Sequence, residues 1–154
     1  GAKEVAAELQ AIQKKLAPHG MHTGYHNHTE EMLGEMGKTP WDVIGTNTVK
    51  DVILQQDVGW TEVAGKDPIA FIKAYPGRTI TTHYKASAPE PGNTEDPILG
   101  KDTTDWKALI TANKTIGGTQ WLVVEQESYP AGMTPMQSVE ASLKGLQAII
   151  AEMK

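Results

Sequence analysis

Apolar residues recur along this chain in two alternating rhythms, one helical and one strand-like. Lys3 to Ala17 places Val5, Leu9, Ile12 and Leu16 at spacings of three and four, the face of a helix, with Lys14 and Lys15 near its C-terminal end. Pro18 and Gly20 stop it. Met21 to Asn27 is short, runs into the polar tip His26-Asn27-His28, and predicts a strand. Thr39-Pro40 forms an N-cap followed by Pro at the first helical position, opening a short helix with Trp41, Val43 and Ile44. Val52-Ile53-Leu54 begins a second strand that ends near Asp57. Asp67-Pro68 repeats the cap, for a helix with Ile69, Phe71 and Ile72 that Pro76-Gly77 stops. Thr79 to Lys85 is β-branched and aromatic, a third strand. A long loop rich in Pro, Gly, Asn and acid follows, from about Ala86 to Thr103. Asp105 to Ile116 is helical, with Trp106, Leu109 and Ile110 facing inward; Trp121 to Val124 is a fourth strand, apolar until Glu125. Thr134-Pro135 caps a last helix whose stripe is Val139, Leu143, Leu146 and Ile150.

The order is a helix, then strand and helix four times. Such alternation, at about 25–45 residues per unit, predicts an α/β fold with a parallel sheet and right-handed crossovers. The expected inventory is four strands and about five helices in a single domain, 1–154, with no linker and no sequence repeat.

Composition narrows the classes. At 154 residues, 39% hydrophobic and 21% charged, the chain has ordinary globular composition. No apolar run approaches the roughly 18–20 residues that span a bilayer. The N-terminus reads as an amphipathic helix with Lys3, Glu4 and Glu8, not as a signal peptide, so a cytoplasmic location is expected. The net charge of −5 argues against generic nucleic-acid binding, which needs a basic surface. There is no cysteine, so disulfides and thiolate metal sites are excluded, and a metal must be held by His, Asp, Glu or backbone oxygen.

The chemistry is positional. Each strand is apolar until its C-terminal end, where a metal-capable side chain stands: His26 and His28, then Asp57, then His83, then Glu125 and Glu127. In parallel α/β folds those ends share one face, and active sites are built there. Hard or borderline divalent metals (Mn, Mg, Co, Zn, Fe) accept such a set. Taken singly, each residue has a plainer reading. A His at a strand end is a polar boundary residue, an Asp there caps a turn, and a Glu after Val123-Val124 is the first solvated residue. Four successive strands with the same habit point to a site. Trp60 either walls a pocket or packs in the core. Lys85, two residues beyond His83, either faces the same side and holds an anionic oxygen or snorkels at the surface. Glu31 lies on the loop after the first strand, within reach of the rim. His19 and His22 lie at the opposite end and receive no role, and Glu90 to Asp96 reads as a solvated acidic loop.

Gly24-Tyr25-His26-Asn27-His28 with Glu31, Gln56-Asp57-Val58-Gly59-Trp60, Ala64-Gly65-Lys66-Asp67-Pro68, Tyr75-Pro76-Gly77-Arg78, His83-Tyr84-Lys85 and Val123-Val124-Glu125-Gln126-Glu127 follow one another in this order. In these motifs the sequence resembles the sugar phosphate isomerase/epimerase family, the xylose-isomerase-like TIM barrels. The resemblance implies a divalent metal at the C-terminal face of the barrel, held by Asp57, His83, Glu125 and a fourth ligand from the end of the first strand, His26, with His28 and Glu31 as the alternatives. His26 takes the place of a family Glu that is both ligand and acid/base group, and Ala86 stands where related sequences often carry Asp. Activity by metal-assisted proton transfer on a small polyhydroxylated sugar or sugar phosphate is implied, with Glu125 as first proton carrier. His26 or Glu31 is its counterpart, Lys85 stabilises charge, and His28, Trp60, Lys85 and Glu127 contact substrate.

A complete barrel of this kind takes about 250 residues and rarely fewer than 200. The chain therefore corresponds to the C-terminal half, a leading helix plus four βα units. Four strands with open edges and a half-covered inner face make a poor monomer, so a homodimer that covers the open face is expected. The competing expectation is an inactive fragment that keeps the metal residues. An endonuclease, which shares this barrel, is disfavoured by the acidic charge.

Overall fold

Short polar caps decide where the helices begin. In the computed structural model, which describes residues 1–87 and 97–154, the Thr39 hydroxyl accepts the Asp42 N–H at 3.1 Å and the Asp67 carboxylate accepts the Ile69 N–H at 2.8 Å. Thr134 and Gln137 bond reciprocally, a capping box. The resulting order is α1 (Ala2–Leu16), β1 (Gly24–His26), α2 (Thr29–Met32), α3 (Pro40–Thr46), β2 (Ile53–Gln55), α4 (Val58–Val63), α5 (Pro68–Ala74), β3 (Thr81–Tyr84), α6 (Trp106–Ala112), β4 (Trp121–Val124) and α7 (Pro135–Glu152). A 3-10 turn (Ala17–His19) follows α1, and a π-helical turn (Asn113–Gly117) extends α6.

Among the described residues, seven α-helices stand where about five were expected. The extra two, α2 and α4, start close after strand tips, where the Glu31 carboxylate accepts the His28 N–H and the Asp57 carboxylate accepts the Trp60 N–H; they are too short for an apolar period to reveal. Strands β1, β2 and β3 are also shorter than the runs that predict them, while β4 has the predicted limits. β1 begins only where Gly24 meets Ile53, and a Cβ on Gly24 would stand 2.7 Å from the Ile53 carbonyl.

All strand pairings are parallel. β1 pairs with β2 in the register His26 to Gln55, and β3 pairs with β4 in the register His83 to Val123. The two pairs join through a parallel bridge between Asp57 and His83, the Leu54 N–H to Arg78 carbonyl bond at 2.9 Å, and the His83 N–H to Gln56 carbonyl bond at 2.9 Å. The spatial order is thus β1-β2-β3-β4, a half-barrel.

One face of this sheet is covered. Leu54, Met32, Trp41, Ile44 and Phe71 form one apolar cluster beneath β1 and β2; Tyr84, Trp106, Leu109 and Leu146 form another beneath β3 and β4. The opposite face is open, with Trp121 69% exposed. Two predicted stripes are shifted. On α7, Leu143 is exposed and Ser138, Ser142 and Leu146 are buried. The reason is close approach: a Cβ on Gly145 would collide with the Leu99 carbonyl, and Ser142 bonds Gln126 at 2.6 Å. On α1, Gln13 is buried in place of Ile12, because its side-chain carbonyl accepts the Thr23 N–H at 2.9 Å. Ile98 and Leu99, expected in the long loop, are core residues. The acidic stretch Glu90 to Asp96 lies outside the described residues.

A buried cation ties the N-terminal ends of the strands. Arg78 donates to the carbonyls of Val52 (2.7 Å) and Gly45 (2.6 Å) and to the Thr48 hydroxyl (2.7 Å). Tyr75 donates to the Asp42 carboxylate at 2.6 Å, so the Tyr75-Pro76-Gly77-Arg78 turn is pinned to α3 by both ends. Removing the guanidinium strands two buried carbonyls. Arg78→Ala is expected to lower stability by about 2–3 kcal/mol, read as a shift of the urea midpoint at unchanged slope.

Candidate metal centre

Four side chains from four strand ends meet at one rim. His26 closes β1, Asp57 follows β2, His83 lies in β3 and Glu125 follows β4. One ligand-capable atom from each lies within 4.8 Å of those of the other three. The parallel register produces this meeting. His26 and His83 sit on the open face of the sheet, with ring centroids 4.5 Å apart, and the Asp57–His83 bridge brings the β2 tip alongside.

Asp57 does several things at once. Its Oδ1 accepts the Trp60 N–H at 2.8 Å, capping α4. Its Oδ2 is buried without a hydrogen-bond partner among the described residues, as is His26 Nδ1. Burial pushes the Asp57 carboxyl up to about 7, and the nearby Glu125 carboxylate adds to the rise, while the Trp60 N–H and Lys85 oppose it. Burial also holds the His26 imidazole below its usual range, helped by the nearby His83. For Glu125, burial works to raise the pKa, but its bond to His83 Nδ1 and the nearby Lys85 charge outweigh it and hold the carboxyl low. Two imidazoles and two carboxylates, with an orphaned acceptor on each of two strand tips, suit a divalent cation. A cation there would satisfy the orphaned Asp57 oxygen and favour its charged form.

The remaining predicted residues fall into two groups. Lys85 is buried rather than snorkelling. Its Nζ lies 3.5 Å from Glu125 Oε1, bonds Glu127, and sits 3.8 Å from the centroid of the Trp60 ring. Burial lowers its pKa, against the pull of Asp57 and Glu125. Gly59 permits this packing, since a Cβ there would stand 2.8 Å from the Lys85 carbonyl. His28 lies beside His26 and Trp60, at centroid distances of 5.1 and 5.8 Å. His28, Trp60, Lys85 and Glu127 thus line the rim next to the four-residue group. Glu31 is engaged differently: its carboxylate accepts the Tyr25 hydroxyl at 3.1 Å and the His28 N–H at 2.7 Å, and it is not one of the four. His22 lies 3.1 Å from the Asp51 carbonyl, away from the group.

Sequence reasoning gave no role to Asn27 or Gln55. Asn27 is fully buried between the two strand tips. Gln55 shares the open face with His26 and bonds the Thr81 hydroxyl at 3.1 Å. The available signal for Asn27 was its place between two histidines at a strand end.

No family model matches the chain. A sugar phosphate isomerase/epimerase of Parabacteroides distasonis superposes with a TM-score of 0.77 at 25% identity, over 96% of this chain and 54% of that one. A probable 3-DHS dehydratase of Bacillus anthracis superposes with a TM-score of 0.64 at 14% identity, over 94% and 56%. Among curated proteins, an inosose dehydratase of Lacticaseibacillus casei is 23% identical over 164 residues, covering 95% of this chain and 54% of that protein. By fold, the chain is similar to about half of these xylose-isomerase-like barrels. Within that class it is structurally akin to the sugar phosphate isomerases/epimerases, and it spans about half the length of the proteins it matches.

The orphaned atoms make metal binding measurable. Co²⁺ at about 100 times its Kd is expected to add about 2.7 kcal/mol, or about 5–10 °C in Tm. The Asp57→Ala/His83→Ala double variant should show no such rise in differential scanning fluorimetry; an equal rise would reject the site.

Proposed function

We propose that the chain carries the metal-bearing half of a metal-dependent sugar or sugar phosphate isomerase/epimerase, the C-terminal half of its barrel. The observation that carries this reading is the convergence of His26, Asp57, His83 and Glu125 at the strand tips, two of them with buried, unpartnered donor atoms. These four residues would hold the ion, and its identity among Mn, Mg, Co, Zn and Fe is left open by the donor set. When bound, such an ion supplies Lewis acidity to a carbonyl and its neighbouring hydroxyl.

The chain's own groups do the rest. Glu125, kept ionised by His83 and Lys85, takes the proton from the carbon beside the carbonyl. His26 or Glu31 serves as its counterpart on the other face. The Lys85 ammonium, fixed against Trp60 and Glu127, offsets negative charge developing on the substrate oxygen. His28, Trp60 and Glu127 complete the wall that a polyhydroxylated substrate would touch.

Dehydration is the second reading, favoured by the two dehydratases among the relatives. Epimerisation and dehydration of a hydroxyketone both begin by removing a proton beside a carbonyl, so the same residues serve either. With metal supplied, a panel of ketoses and inososes in deuterated water is expected to show deuterium exchange at that carbon, followed by epimer or dehydrated product. Glu125→Gln should lower the rate by about 10²–10⁴-fold. Metal binding without exchange on any substrate would instead support an inactive fragment.

The open sheet face supports a second copy of this chain as partner. β1 and β4 each pair on one side only among the described residues, and Trp121 projects from the uncovered face. Two copies related by a two-fold along the strand direction would set β4 of each beside β1 of the other, giving eight parallel strands and a closed face. Light scattering is expected to give the dimer mass, and Trp121→Glu to shift it toward monomer. A monodisperse wild-type monomer with an ordinary cooperative melt would overturn the assembly.

A further inference from the structure

Strands β1 and β2 stop pairing at His26 and Gln55, yet the metal-centre groups lie at and just beyond that point. Something must hold the two tips in register after the backbone ladder ends. Asn27 occupies that place with no exposed surface. Its side-chain carbonyl accepts the Asp57 N–H at 2.8 Å. Its amide nitrogen makes longer contacts, 3.5 Å to the Asp57 carbonyl, 3.4 Å to the Thr61 hydroxyl and 3.2 Å to the His28 carbonyl. Thr61 in turn donates to the Asp57 carbonyl at 2.6 Å. The carboxamide therefore faces the Asp57 peptide as a neighbouring strand's peptide would, acceptor to N–H and donor to C=O. On the other side, Asp57 is bridged to His83 by backbone. With Asn27 absent, Asp57 would be held at the β3 side and by its own helix cap, but not toward β1.

We propose that Asn27 is the positioning residue of the metal centre, a side-chain rung that continues the β1–β2 ladder and fixes the spacing of His26 and Asp57. This rests on the reading of His26, Asp57, His83 and Glu125 as ligands. Asparagine fits because both halves of its amide are used. Alanine at this position leaves the Asp57 N–H without an acceptor in a dry environment, and the β2 tip free to shift relative to β1.

Two measurements on the full chain separate the possibilities. Visible-absorption titration with Co²⁺ reads the affinity of the centre, and amide hydrogen exchange followed by NMR reads the Asp57 N–H without any metal. Asn27→Ala is expected to bind Co²⁺ about 10–100-fold more weakly and to exchange the Asp57 amide faster than the amides of β3. Tyr75→Phe, which removes a hydrogen bond at the opposite end of the strands, should match the wild type in both. If Asn27→Ala does not fold, Asn27→Ser takes its place with the same two expectations. Wild-type affinity together with a wild-type Asp57 exchange rate in the folded variant overturns the proposal, as does an equal loss in Tyr75→Phe. If the wild type itself binds no Co²⁺, the metal reading fails; the exchange rate still decides whether Asn27 holds the β2 tip.

Discussion

The parallel bridge between Asp57 and His83 is the constraint on which the site depends. The β1–β2 and β3–β4 pairs have no other strand-type bridge joining them among the described residues. That bridge makes one four-stranded surface out of two hairpin-sized pieces. It also falls at the C-terminal rim, so the backbone contact that completes the sheet is made by two of the four clustered residues. Stability and chemistry thus share one joint. The Arg78 network makes the corresponding joint at the other end, where Arg78 and Val52 tie β3's lead-in to that of β2. Between them, β1–β2 and β3–β4 pair along their short length, and the two pairs are tied to each other at these two ends.

The electrostatics follow from that geometry. Bringing two carboxylates together under partial burial raises one and leaves the other charged: Asp57 takes the desolvation and rises, while Glu125 has His83 and Lys85 beside it and stays low. Divergent environments for like groups are a recurring arrangement where protons and cations are handled. Lys85 belongs to the same arrangement. Its position above the Trp60 ring is stabilised from below by the aromatic face and from the side by two carboxylates. Among the described residues, buried charge gathers at this rim and around Arg78 and Asp42, and the covered face of the sheet is largely apolar.

Much of this was legible in the residues. The caps Thr39, Asp67 and Thr134 and the β4 limits at Trp121 and Val124 were read directly, because capping and β-branched runs are local effects. The convergence of His26, Asp57, His83 and Glu125 was legible as well, because a parallel sheet turns position at a strand end into position at a common rim. Other features were not. The stripe on α7 was misassigned at Leu143, since close backbone approach at Gly145, not apolarity, decides which side of that helix faces inward. The helices α2 and α4 were invisible because four and six residues, fewer than two turns, carry no period.

What the sequence determined by itself is the alternation that gives a parallel sheet, and the placing of His26, Asp57, His83 and Glu125 at strand ends. Periodicity and capping act over a few residues, so they can be read along the chain. What only the tertiary structure decided is which polar groups find partners. Lys85 became a buried neighbour of Glu125, Glu31 closed the turn after β1, and Asn27 filled the gap between two strand tips. The Lys85 and Asn27 contacts join residues some 40 and 30 positions apart, whereas Glu31 bonds residues only six and three away, Tyr25 and His28. Those outcomes are fixed by strand register and by the cost of leaving a buried polar group unpaired.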